Sequence, residues 1–67
     1  MRLVITIEMD NAAFSDPEDG GRHDLNRAME VARILREYVD KCEGHGTVLD
    51  ARLMDANGNN VGHAEVQ

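Results

Sequence analysis

Asp55-Ala56-Asn57-Gly58-Asn59 begins like a calcium loop, with oxygen-bearing side chains at alternate positions as an EF-hand presents its first ligands to a hard cation. The site would also need glycine at its sixth position, for the sharp turn, and a bidentate glutamate at its twelfth. Counted from Asp55, those positions hold Asn60 and Val66, so the strongest ligand is missing. Cys42 and His45 offer a second coordination chemistry, a Cys-x-x-His pair of the types zinc prefers, with His23 and His63 elsewhere. Both have a structural use: Cys42 falls among apolar helix positions, where a free thiol behaves as a small hydrophobe, and His45 falls just past the helix C-terminus, where the dipole favours a cation. A metal or small-ligand module built from Cys42, His45 and His63 is therefore only the third functional reading, and no metal or other cofactor is expected.

Nucleophilic catalysis has little to work with. Ser15 and Cys42, with Thr6 and Thr47, are the available hydroxyls and thiol, and none sits in a motif that supplies a base and an orienting group. Thirteen acidic residues in so short a chain produce neighbouring carboxylates by chance, and a domain of this size hardly encloses a substrate pocket. Gly20-Gly21 and Gly44-His45-Gly46 match no phosphate-cradling pattern. The chain is not expected to be an enzyme.

The apolar pattern predicts the scaffold around these residues. Leu3, Ile5, Ile7 and Met9 alternate with Arg2, Val4, Thr6 and Glu8, which predicts a strand over 2–9. Residues 10–23 read as a long acidic loop, because Asp16-Pro17-Glu18-Asp19-Gly20-Gly21 gathers turn and breaker residues. Ser15 and Glu18 have capping-box spacing for one helical turn within it. Asp24 can cap a helix over 24–43, which no Gly or Pro interrupts before Gly44 supplies a stop. The apolar positions of that helix span an arc of roughly 220°, wider than one sheet covers. Ile34 and Tyr38 form the excess flank, expected either under the loop or against a second subunit, so monomer and homodimer both stay open.

A hairpin over 47–66 answers the question raised by Asp55. With Asn57-Gly58 at the turn, Leu53 pairs with Gly62, Ala51 with Ala64 and Leu49 with Val66, and the small and apolar residues share one face. Arg52 then opposes His63, and Asp50 opposes Glu65, on the other face. The expected fold class is α+β, one amphipathic helix packed on a three-stranded antiparallel or mixed sheet in the order β-α-β-β, forming a single domain over 1–67. Strand one can lie beside either hairpin strand.

At 67 residues the chain is near the lower limit for a self-sufficient hydrophobic core, so help from a partner chain is plausible on size alone. One cysteine excludes an internal disulfide and suits a reducing cytoplasm. Leu3 to Ile7 is too short an apolar run for a secretory or membrane segment, so a cytoplasmic location and no membrane partner are expected. A net charge of −6 and only two aromatic residues, Phe14 and Tyr38, disfavour direct nucleic-acid binding. The charge is uneven: residues 8–19 hold Glu8, Asp10, Asp16, Glu18 and Asp19 and no basic residue. Such a run either keeps a small protein soluble or recognises a basic protein surface, standing in for DNA phosphates.

The stretches ITIEMDNAAF, ARILREYVDK and LMDANGNNVGHAEV together resemble a group of short phage-encoded proteins of strand, helix, hairpin design, over most of the chain. The resemblance transfers no catalytic residues. It implies a phage or mobile-element setting, in which small acidic proteins are frequently inhibitors of host machinery, including anti-CRISPR proteins that bind a Cas subunit and block target DNA. Arg27, Arg33, Arg36 and Lys41 interrupt the acids along the helix, so DNA mimicry would rest on residues 8–19. The expected partner contacts are Asp10, Asp16, Glu18 and Asp19, with Phe14 as an apolar anchor. The competing expectation is a structural or assembly module that self-associates through Ile34 and Tyr38.

Overall fold

The computed structural model describes residues 1–10, Phe14 and 23–67, without the side chains of His23 and Asp24. Strand β1 (Leu3–Ile7) precedes helix α1 (His23–His45), and strands β2 (Ala51–Met54) and β3 (Asn60–Val66) form the hairpin. The sheet order is β1-β3-β2 with both pairings antiparallel. The fold is therefore α+β, and strand one lies beside the second hairpin strand, which becomes the centre of the sheet. Asp24, expected to cap the helix, lies inside α1 one residue after its start, and the expected turn from Ser15 to Glu18 lies outside the described residues.

Helix α1 runs past Gly44 and ends at Gly46, whose φ of 73° a side chain would disfavour. The Gly46 N–H donates to the Glu43 carbonyl and the Thr47 N–H to the Cys42 carbonyl, each at 3.2 Å. This is the paired bonding of a Schellman motif, with Gly46 at the left-handed position. Gly44 has an open environment and no positive φ, so it is carried as an ordinary helical residue. His45 belongs to the last helical turn, with its Nδ1 2.9 Å from the Lys41 carbonyl oxygen.

The hairpin register agrees with the pattern at Leu53 opposite Gly62, Arg52 opposite His63 and Ala51 opposite Ala64. It departs at both ends. The expected pairings of Leu49 with Val66 and of Asp50 with Glu65 do not form, because the ladder starts at Ala51: the Tyr38 hydroxyl donates to the Leu49 carbonyl and the Asp50 carboxylate accepts the Val66 N–H, both at 2.8 Å. At the tip, Gly58 alone has a positive φ, 84°, so Asn57 and Gly58 do not form a two-residue turn. The Asp55 carbonyl accepts from the Gly58 N–H and the Asp55 N–H donates to the Asn59 carbonyl, the bonding of a three-residue loop whose glycine takes the left-handed position. A shift follows between Leu53 and Met54, and Met54 lies opposite Asn60. Strict alternation from Gly62 would have sent Val61 to the open face; the shift turns it into the core, 5% exposed.

Phe14, Ile34, Tyr38, Leu53, Val61 and Ala64 make up that core, with Ile7, Val31, Cys42 and Ala51 packed around it. Ile34 and Tyr38 are 2% and 5% exposed, so they are not the surplus flank. The helix seats that stripe on the hairpin, and the surplus instead comprises Leu25, Met29 and Val39, all exposed. Gly62 sets how closely β1 approaches β3. A Cβ there would lie 2.9 Å from the Thr6 carbonyl carbon and 3.0 Å from Ile7 Cα, and closer still to the Thr6 oxygen. The backbone of β1 occupies the space of the missing side chain.

Candidate interaction surfaces

The acidic segment starts where β1 ends. Glu8 still belongs to the ladder, donating its N–H to the Val61 carbonyl at 2.7 Å, and its side chain is exposed, as is that of Asp10. Asp16, Glu18 and Asp19 lie outside the described residues, as does Ser15. Phe14, expected to anchor a partner, is fully buried in the protein's own core. A ring buried at 0% exposure offers a partner no surface, and it packs in the core cluster with Ile34 and Tyr38.

A second group of carboxylates is committed to the fold. Glu30 is buried at 7% exposure, with Oε1 accepting from Arg33 Nε at 2.6 Å and Oε2 accepting from the Ala56 N–H at 2.9 Å. The Arg33 guanidinium also donates to Glu37 at 2.8 Å and to the Met54 carbonyl at 3.0 Å. The hydrogen bond from Arg33 holds the Glu30 carboxyl below its ordinary value, opposed by burial and assisted by the Ala56 N–H. Inside the hairpin, Asp55 Oδ1 accepts from the Asn57 and Asn59 N–H groups at 2.9 and 2.8 Å, and Oδ2 accepts from Asn59 Nδ2 at 3.2 Å. The oxygens that suggested calcium thus organise the loop itself. Sequence reasoning overlooked this clamp, although Glu30, Arg33 and Glu37 recur at helical spacing beside the apolar stripe.

The remaining candidates are dispersed. Cys42 is half-buried at the rim of the core, His45 is tied to the helix backbone, and His63 stands exposed on the sheet face turned away from the helix. Among the described residues, no three His, Cys, Asp or Glu side chains converge as a metal site. The Tyr38 phenol is pushed above its ordinary value by the adjacent Cys42 thiol first and by burial second. A cleft of about 130 Å³ separates the helix from β2, lined by Ile34, Tyr38, Lys41, Arg52 and Leu53 among others, which is below the range of typical small-molecule sites. Arg52 and His63 stand beside Asp50 and Glu65 at a broad, open depression on the exposed sheet face.

No family model, curated protein or solved structure matches this chain. Among the described residues, no helix is long and apolar enough to cross a membrane.

Proposed function

We propose that this protein is a non-enzymatic inhibitor of phage or mobile-element origin, resembling anti-CRISPR proteins. In this reading, acidic residues of the segment 8–19 bind a basic DNA-binding surface of a Cas effector subunit. The observation that carries it is the division of labour among carboxylates. Glu30, Glu37, Asp50 and Asp55 accept hydrogen bonds within the domain and Asp40, Glu43 and Glu65 are exposed singly, whereas Glu8 and Asp10 are exposed at the start of a stretch with five acids and no base. Exposed carboxylates in a run steer a cationic surface and compete for the arginines and lysines that grip phosphate. Asp10, Asp16, Glu18 and Asp19 make the contacts in this proposal, and Phe14 supports them from within the core.

The test is a pull-down with tagged protein from a CRISPR-bearing host lysate at low and high salt, beside the variant D16K/E18K/D19K. Recovery of a Cas effector subunit at low salt, its loss at high salt, and its loss in the variant with an unchanged melting temperature are expected. Full inhibition of the CRISPR system by the triple variant would overturn the proposal.

A further inference from the structure

Strand β1 is an edge strand of the sheet. Arg2 and Gln67 exchange both backbone hydrogen bonds, at 2.9 and 2.7 Å, and the Glu8 N–H donates to the Val61 carbonyl. In an antiparallel ladder the bonded residues alternate, so Val4 and Thr6 also bond to β3. Leu3, Ile5 and Ile7 therefore direct their N–H and C=O groups to the open edge. Among the described residues nothing pairs with that edge. The side chains of Leu3 and Ile5 are 41% and 37% exposed, on the face where the helix covers the hairpin and leaves β1 bare.

From these observations we infer that the β1 edge binds a second copy of this chain, β1 against β1 antiparallel, with the two-fold axis at Ile5. The sequence from Met1 to Met9 is self-complementary in that register. Ile5 meets Ile5 of the second copy, Leu3 meets Ile7, Val4 meets Thr6, Arg2 meets Glu8 and Met1 meets Met9. Each apolar residue of the bare face finds an apolar partner, and the charged residues flanking the strand pair with opposite sign at both ends. Leu3 to Ile7 carries no charge, so a chain of net charge −6 approaches its copy along its least repulsive element. About six interchain hydrogen bonds form, because the outward-facing residues of the two copies fall opposite one another. The product is a continuous six-stranded sheet. Its two-fold arrangement places the two segments that start at Glu8 roughly 20 Å apart, at opposite ends of the central strand pair. The inference does not depend on the function proposed above.

The occupant follows from this register and charge match, which a generic apolar partner would not use. The experiment combines sedimentation equilibrium with residue-resolved hydrogen exchange on the wild-type protein, E8R, and the charge-swapped R2E/E8R. The wild type is expected at twice 7.4 kDa, with the amides of Leu3, Ile5 and Ile7 protected as well as those of Val4 and Thr6. Reversing the exposed Glu8 sets it against Arg2 of the other copy and should raise the dimer dissociation constant about tenfold, and the double swap should restore it. A monomer at millimolar concentration would overturn the inference. So would a dimer whose Leu3, Ile5 and Ile7 amides exchange freely, or one indifferent to E8R.

Discussion

The sheet has two edge strands, and the helix treats them in opposite ways. Along β2, side chains of α1 reach over the edge: Arg33 takes the Met54 carbonyl, Tyr38 takes the Leu49 carbonyl, and Glu30 holds the Ala56 N–H at the hairpin tip. The strand is four residues long, and the carbonyls of Leu49 before it and Met54 at its end are taken by helix side chains. Along β1 the described helix supplies no such contact, the strand is uncharged, and Leu3 and Ile5 stay exposed. A short strand fenced by side chains resists pairing with another chain, and an open apolar strand invites it. A single helix too narrow to cover three strands thus protects one edge at the expense of the other. Both interaction surfaces proposed above consequently lie on the β1 side, which also leads into the acidic segment.

Substitutions can break that contrast from either side. The largest effect is expected from Gly62→Val, which puts a side chain where the β1 backbone runs and should cost about 3 kcal/mol or more by urea unfolding. A loss below about 1 kcal/mol would show that β1 is not seated there. Glu30→Ala attacks the fenced edge, leaving the Ala56 N–H and Arg33 without their buried acceptor, and should cost about 2 kcal/mol at neutral pH. Because folding lowers the Glu30 pKa, its contribution is fully present above the ordinary value of 4.5 and is lost as pH falls through the lowered value. The stability gap between wild type and variant should therefore narrow from pH 7 to pH 3, and a constant gap would assign the effect to packing. Tyr38→Phe is the mildest, removing the hydroxyl that donates to the Leu49 carbonyl and lies against the Cys42 thiol, and should cost about 1 kcal/mol, read as a fall of several degrees in melting temperature.

How much of this was legible beforehand differs by element. Alternation in β1 and in the hairpin indicated the strands, and the central hairpin pairs followed because a slip of one residue would have turned Leu53 and Ala64 to solvent. The helix start differed by one residue and its end by two, since Gly44 looked like the stop and Gly46 took that role. Of the two places expected for Ile34 and Tyr38, under the loop or against a second subunit, burial in one cluster with Phe14 excludes the second. A helical wheel measures the width of an apolar arc and carries no information on where the sheet sits beneath it. Phe14 was misread for a related reason: an aromatic residue in a polar stretch suits a partner contact or a tether to the core, and only packing distinguishes them.

By itself, the sequence determined what depends on local periodicity and composition: the element types, the central hairpin pairs, the concentration of acid in residues 8–19, and the absence of an EF-hand ligand set. Tertiary structure decided the rest. It placed β3 in the middle, committed Glu30 and Asp55 to the hairpin, turned Val61 inward through the register shift, and left the β1 edge without a pairing strand among the described residues. These outcomes depend on distances between residues far apart in the chain. Which hydrogen-bonding groups are taken and which remain available is settled only when one helix is set down over part of a three-stranded sheet.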